Sequence, residues 1–127
     1  MAKRVLVVDD DPQVVVIARV VLEQAGFEVM VASDGAECLD MIAKQRPGLV
    51  ILDVAMPVMN GIEALRAIRQ GPDTTTLPVI VLSARTEDRD VAVGQAAGAD
   101  LYLAKPFTPE ELTAAVNRLL DMAGERD

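Results

Sequence analysis

The sequence contains no histidine, no tryptophan and a single cysteine, Cys38, among its 127 residues. The lack of histidine excludes Ser-His and Cys-His nucleophile pairs and histidine metal sites. One cysteine can form neither an intrachain disulfide nor a thiolate metal cluster, and we interpret Cys38 as a packed, inert thiol. Any chemistry on this chain must therefore rest on carboxylates, hydroxyl groups and lysine.

Positive charge is scarce, because 12 Lys and Arg residues stand against 20 Asp and Glu residues, for a net charge of -8. A nucleic-acid backbone attracts clustered Lys and Arg, so we expect no direct nucleic-acid binding by this chain. No apolar run approaches the roughly 18 residues needed to span a bilayer, and no basic segment leads into an apolar signal stretch. The sequence predicts a soluble, cytoplasmic protein without membrane contact.

Aromatic residues make up only 2% of the chain, although hydrophobic residues make up 51%. The core must therefore be built from aliphatic side chains and methionine, a composition that suits buried parallel strands covered by helices. The length fits one compact domain, since single cores commonly close at about 100 to 150 residues. We expect one domain over residues 1–123 and a C-terminal tail over residues 124–127.

Short apolar runs alternate with helical patterns along the whole chain. The runs predict five strands, at residues 5–8, 28–32, 49–52, 79–82 and 101–104. The helical patterns cover residues 12–25, 35–45, 61–70, 88–97 and 109–122. Such alternation predicts an α/β fold in which a mostly parallel sheet carries helices on both faces, a doubly wound (βα)5 sandwich.

The predicted strands end in polar residues that can carry chemistry. Asp9 and Asp10 follow the first strand, Asp53 the third, Ser83 the fourth and Lys105 the fifth. Ligands of doubly wound sheets bind beyond the carboxyl ends of the strands, so we expect these side chains to meet. Each also has an ordinary interpretation, as a solvated turn residue, a solvated strand end or a cap.

Clustered carboxylates raise each other's pKa values unless a cation holds them ionised. Oxygen ligands without histidine or thiolate favour Mg2+, with Mn2+ as the alternative. Asp11 directly precedes Pro12, and we interpret it as a helix N-cap rather than a ligand. With a cation bound, Asp53 is the best candidate to attack a phosphorus atom, and Lys105 and Ser83 suit the phosphoryl oxygens.

Several segments resemble the receiver domains of bacterial two-component response regulators. They are VLVVDDDP at residues 5–12, LDVAMP at 52–57 with Gly61, Ser83-Ala84, and Lys105-Pro106-Phe107. Each segment alone is weak, but their order, spacing and positions at strand ends are specific, and the resemblance covers essentially the full length. It implies a flavodoxin-like sheet with strand order 2-1-3-4-5.

The resemblance implies that Asp53 is the phosphoacceptor and one of the metal ligands. Asp10 and the backbone carbonyl of Ala55 would be further direct ligands, and Asp9 would act mainly through water. The small side chain of Ala55 would leave part of the pocket open and thereby affect the phosphoryl lifetime. A hydrolysis rate unchanged after enlarging Ala55 would contradict that hypothesis.

The resemblance also implies a switch. Ser83 and Lys105 would contact the phosphoryl group, and a cis peptide bond would join Lys105 to Pro106. A sensor histidine kinase or a histidine phosphotransfer protein would donate the phosphoryl group. Ser83 would then move toward it and Tyr102 would turn inward, which would change the face formed by the fourth helix, fifth strand and fifth helix for a downstream effector protein or a homodimer. Tyr102 is equally consistent with ordinary strand packing.

Because little sequence follows Met122, we expect a stand-alone signalling receiver, and three alternatives compete with it. The first is a receiver excised from a longer regulator with DNA-binding or enzymatic output. Leu101 and Ala115 stand where receivers joined to winged-helix domains commonly carry Asp and Arg, which favours a single-domain regulator or a different output. A metabolite phosphatase would want a second Asp at the position of Ala55, and a flavin module would want a phosphate-cradling loop in place of the acids after the first strand.

Overall fold

The structure is a computed structural model that describes residues 3–54, 59–83 and 96–126, with side chains up to residue 121. Its sheet has five parallel strands in the order β2-β1-β3-β4-β5. The strands are β1 (Arg4–Val8), β2 (Glu28–Ala32), β3 (Leu49–Asp53), β4 (Val79–Ser83) and β5 (Leu101–Ala104). Both the predicted strands and the predicted strand order are confirmed.

Four helices lie in the described ranges: α1 (Pro12–Gln24), α2 (Gly35–Lys44), α3 (Gly61–Gln70) and a C-terminal helix (Pro109–Arg126). Asp11 is the N-cap of α1, as predicted, because its side chain accepts a hydrogen bond from Gln13 N at 2.9 Å. The C-terminal helix continues to Arg126, past its predicted end at residue 122. Most of the helix predicted at residues 88–97 lies outside the described residues.

The sheet separates two apolar clusters, which is why its central strands read as continuous apolar runs. Leu6 and Val8 of β1 point into a cluster covered by α2 and α3, which we call the α3-side cluster. Val5 and Val7 point into a second cluster covered by α1 and the C-terminal helix. Full burial of such side chains stabilises the fold by about 1.5–3 kcal/mol each. The buried aliphatic side chains therefore hold the strands, and the residues that follow them, in place.

The carboxyl ends of the strands meet at one edge of the sheet. Asp53 of β3 is in register with Leu82 of β4, and Ser83 of β4 is in register with Ala104 of β5. The residues that follow β1 and β5 must therefore lie near this edge. No helix within the described residues is both long enough and apolar enough to cross a membrane.

Candidate functional site

Asp53 is the last residue of β3 and is only 4% exposed. Its Oδ1 accepts a hydrogen bond from Lys105 Nζ at 3.2 Å. Two backbone hydrogen bonds fix the chain just after it, from Val54 N to Leu82 O and from Gly61 N to Val54 O. A Cβ atom on Gly61 would overlap the carbonyl oxygen of Asp53. Glycine therefore lets α3 begin directly against the backbone of Asp53.

Asp9 is a buried carboxylate, and Asp10 beside it is exposed. Asp9 Oδ1 accepts a hydrogen bond from Asp11 N at 2.9 Å. Asp9 Oδ2 forms an ion pair with Lys105 Nζ at 2.9 Å. Carboxylate oxygens of Asp9, Asp10 and Asp53 all lie within 4.8 Å of one another. The structure thus brings together three of the predicted metal ligands.

Lys105 is the one described cation that contacts this carboxylate group, since its Nζ bridges Asp9 and Asp53. Burial acts to lower the pKa of Lys105 and is the largest single effect. The contact with Asp9 and the negative charges of Asp53 and Asp9 together outweigh it, so the pKa of Lys105 is raised above the usual lysine value. Lys105 is therefore a permanent positive charge at neutral pH.

The carboxylates fit a hard divalent cation. Among the residues that the structure describes, three carboxylates lie together with one ammonium group, which is an excess of two formal negative charges. One buried oxygen, Asp9 Oδ2, contacts the Lys105 ammonium group and keeps a second lone pair that can bind a cation. Oxygen ligands and excess negative charge are what Mg2+ and Mn2+ require. Ala55, the predicted carbonyl ligand, lies outside the described residues, so its role stays a prediction.

Ser83 lies on β4, the strand next to that of Asp53, and Tyr102 lies on β5, one strand further along the sheet. Ser83 is 4% exposed at the end of β4, and its carbonyl oxygen accepts a hydrogen bond from Lys105 N at 2.8 Å. The peptide bond between Lys105 and Pro106 is cis, as the resemblance implies. Tyr102 is half-buried against the α3-side cluster and is in register with Val81. Both predicted switch residues thus lie near the carboxyl edge of the sheet.

The sequence pattern predicts a phosphoryl contact for Lys105 but not its pairing with Asp9. Charge balance was the signal that could have revealed it, because a buried carboxylate after β1 needs a cation and Lys105 is the nearest candidate on the same sheet edge. The sequence pattern places Gly61 at the start of a helix, and the structure adds a specific contact between Gly61 and the backbone of Asp53. That contact depends on three-dimensional packing and has no local signature.

Known proteins share both the sequence and the fold of this chain. A family model described as the response regulator receiver domain matches residues 5–117. The DNA-binding response regulator MtrA of Mycolicibacterium smegmatis is 42% identical over 120 residues, which are 94% of this chain and 51% of MtrA. The alkaline phosphatase synthesis transcriptional regulatory protein PhoP of Bacillus subtilis is 39% identical over 120 residues, 94% of this chain and 49% of PhoP.

A solved structure gives the same result. The chemotaxis response regulator CheY4 of Vibrio cholerae superposes with a TM-score of 0.90 at 36% identity, over 94% of this chain and 99% of CheY4. The chain spans about half the length of the curated relatives it matches and nearly the whole of the chemotaxis regulator. With the family model matching most of its length and the same fold in a solved relative, the chain belongs to the response regulator receiver domain family.

Proposed function

We propose that Asp53 accepts a phosphoryl group in a reaction that this chain itself catalyses, and that the resulting acyl phosphate switches the surface read by a partner. The observation that carries the proposal is the meeting of Asp53 with two further carboxylates and Lys105 at one sheet edge. A lone strand-terminal acid would need none of these neighbours. A phosphoryl acceptor needs both a cation site and a positive side chain, because charge develops on three equatorial oxygens during transfer.

The proposed chemistry is an in-line displacement. An oxygen of Asp53 forms a bond to phosphorus, and the bond from phosphorus to a histidine nitrogen of the donor protein breaks. The electron pair of that bond goes to the nitrogen, and the imidazole leaves as a neutral ring because its other nitrogen carries a proton. Lys105 Nζ, already 3.2 Å from Asp53 Oδ1, supports one phosphoryl oxygen as a point charge. The Ser83 hydroxyl can donate to another oxygen. Hydrolysis by water would return Asp53 to its free carboxylate.

Asp9, Asp10 and Asp53 would hold the divalent cation, with the carbonyl of Ala55 as a further ligand and Asp9 acting through water. Mg2+ is the proposed ion and Mn2+ the alternative. When bound, the cation supplies charge neutralisation at the transferring group. The residues themselves supply position, because the buried carboxylates of Asp9 and Asp53 are held close together at the end of the sheet.

The donor is proposed to be a sensor histidine kinase or a histidine phosphotransfer protein, and the receiver of the signal a downstream effector protein. The switch would act through Ser83 and Tyr102 on the surface that includes β5 and the C-terminal helix, and it could also favour a homodimer. A cytoplasmic location and a receiver unit over residues 1–123 belong to the same proposal, as the family resemblance implies. The proposal includes no direct nucleic-acid contact by this unit.

The site is compatible with two kinds of regulator, a single-domain protein and a longer protein that contains this receiver. Similarity over nearly the whole length of the chemotaxis response regulator CheY4 supports a single-domain role, and Leu101 and Ala115 stand where receivers joined to winged-helix domains commonly carry Asp and Arg. Its similarity to DNA-binding regulators of about twice the matched length supports a receiver belonging to a longer protein. The full open reading frame from which the chain comes distinguishes the two.

Intact-mass spectrometry with acetyl phosphate and Mg2+ tests the acceptor function. We expect a single phosphoryl adduct on the natural chain and none on Asp53→Asn, while Asp121→Asn, at an exposed carboxylate on the C-terminal helix, keeps the adduct. An adduct that persists in Asp53→Asn would place the acceptor elsewhere. No adduct with Mg2+, Mn2+ or any small phosphodonor would contradict the proposed function as a whole.

A further inference from the structure

A second charged pair lies at the opposite end of the sheet from Asp53. Arg69 of α3 and Asp100, just before β5, form an ion pair of 2.8 Å, with side chains only 18% and 16% exposed. The Arg69 guanidinium also donates to the carbonyl oxygens of Leu77 at 2.7 Å and Gly98 at 2.9 Å. One side chain of α3 therefore holds the segments that lead into β4 and into β5.

Asp100 also forms hydrogen bonds with Val79, the first residue of β4. Its Oδ2 accepts a hydrogen bond from Val79 N at 2.9 Å, and its backbone N donates to Val79 O at 2.9 Å. The same carboxylate oxygen thus binds both Val79 and Arg69. Charge-assisted hydrogen bonds of this kind are stronger than neutral ones. We call Arg69 and Asp100 the basal clamp, because they join the amino ends of β4 and β5 to α3.

The same helix reaches from the basal clamp to the candidate acceptor. α3 begins at Gly61, packed on the backbone of Asp53, and its ten residues span about 15 Å at 1.5 Å per residue. The helix end that carries Arg69 packs into the α3-side cluster through its neighbour Ile68. Because α3 is one rigid helix, a displacement of the backbone at Asp53 can be transmitted along it to Arg69, and the reverse.

Tyr102 lies between the two ends of this arrangement. It follows Asp100 by two residues, and it is in register with Val81, two residues before Ser83. Val79, Val81 and Tyr102 pack on the same α3-side cluster. Residues two apart on a strand share a face, so Ser83 continues the face that carries Val81. Ser83 and Tyr102 would move during switching, and the strands that carry them, β4 and β5, are held at their amino ends by the basal clamp.

We propose that the basal clamp is a positioning device that determines how strongly Tyr102 responds to the phosphoryl state of Asp53, an inference that rests on the proposed function. Two sites are coupled only when both bias the same two-state element. With the amino ends of β4 and β5 held against α3, movement of Ser83 at the other end must be accommodated at Tyr102. With the clamp weakened, β5 can shift on its own, and the position of Tyr102 depends less on the phosphoryl state of Asp53.

The environment of Tyr102 can be followed by intrinsic fluorescence, because the chain has one tyrosine and no tryptophan. The experiment measures the change in intrinsic fluorescence when Mg2+ and beryllofluoride, a phosphoryl mimic, are added to the natural chain, Arg69→Lys and Asp100→Asn. Arg69→Lys keeps the charge but loses the planar fork, and Asp100→Asn keeps an oxygen for Val79 N. Arg66→Lys, at an exposed position on the same helix, is the matched control.

We expect the fluorescence change at saturation to fall at least about two-fold in both clamp variants and to stay unchanged in Arg66→Lys. Acetyl phosphate should still give the natural extent of phosphoryl adduct in all of them. A clamp that only stabilises the fold would lower the free energy of unfolding in urea and leave the Tyr102 response intact, and that result would overturn the inference. Failure of the natural chain to form any adduct would instead contradict the proposed function.

Discussion

The ammonium group of Lys105 lies 3.2 Å from the carboxylate of Asp53, although 52 positions separate the two residues in the sequence. The same ammonium group is 2.9 Å from the buried carboxylate of Asp9. Lys105 therefore offsets part of the negative charge of the carboxylates before any ligand enters the site. A single lysine that serves two carboxylates must contribute to stability as well as to the proposed chemistry.

Replacing Lys105 by Met should destabilise the fold when no divalent cation is present. The change leaves Asp9 and Asp53 buried without their cation, and we expect a loss of about 1–3 kcal/mol in the free energy of unfolding. Urea unfolding in a chelating buffer measures it, with the exposed Lys44→Met as control. Equal stability of the two variants would show that Lys105 does not compensate the buried carboxylates.

Replacing Asp10 by Asn should have opposite effects with and without Mg2+. Without the cation, the variant should be at least as stable as the natural chain, because one of three mutually repelling carboxylates is gone. With Mg2+ at a hundred times its dissociation constant, the natural chain should gain about 2.7 kcal/mol by linkage and the variant much less. Thermal unfolding with and without Mg2+ gives both values.

The exposed Asp121→Asn is the control for this cation experiment. It should gain as much stability from Mg2+ as the natural chain does. An Asp10→Asn variant that responds fully to Mg2+ would exclude Asp10 from the cation site and would require a different ligand set.

Gly61→Ala should destabilise the protein, although alanine is normally the better helix former by roughly 1 kcal/mol. The new Cβ atom would overlap the backbone carbonyl of Asp53, which cannot move without shifting the end of β3. We expect a cost of about 1–3 kcal/mol in urea unfolding. Gly48→Ala is the matched control, because its Cβ atom would lie 3.5 Å from Arg4 O, an ordinary contact. Similar effects of the two substitutions would contradict the close approach of α3.

Cys38 should resist thiol reagents in the folded protein at pH 8. Its burial, assisted by the negative charge of Asp34, raises the pKa of the thiol from 9.0 to about 12, so almost no reactive thiolate exists. Labelling in native buffer and in urea measures the difference, and we expect rapid modification only in urea. Fast labelling of the folded protein would show that the thiol is accessible.

The same raised pKa makes stability depend on pH in a defined window. The unfolded thiol ionises near 9.0 and the folded thiol near 12, so the unfolded state loses its proton first. The contribution of Cys38 is complete below pH 9 and is lost as the pH rises toward 12. The natural chain should therefore lose stability relative to Cys38→Ala over that range. A constant difference between them would contradict the raised pKa.

Much of the fold follows from local sequence pattern. β3 and β4 are buried at every position, so each appears as an unbroken apolar run that ends at a polar residue, Asp53 or Ser83. The cap at Asp11 is equally local, because a capping side chain and Pro12 are adjacent. Parallel strands bring their carboxyl ends to one edge, and this rule alone predicts that Asp9, Asp53 and Lys105 meet.

The basal clamp could not be predicted in the same way. Arg69 is a charged residue near the end of an amphipathic helix, a pattern typical of a solvated face, and its partner Asp100 lies 31 residues further along the chain. The Arg69–Asp100 ion pair is strengthened by partial burial, and this burial arises only when α3 packs beside β4. The double pairing of Lys105 has the same origin, since the choice between carboxylates depends on distances of a few tenths of an ångström.

The most direct test of the central claim is to locate the phosphoryl group. The chain is incubated with acetyl phosphate and Mg2+, reduced with borohydride, which converts an aspartyl phosphate to homoserine, and digested for peptide mass mapping. We predict homoserine at position 53 and at no other aspartate, with Asp9 and Asp10 unmodified. Homoserine at another position, or none in a chain that carries the adduct, would contradict the assignment of Asp53 as the acceptor.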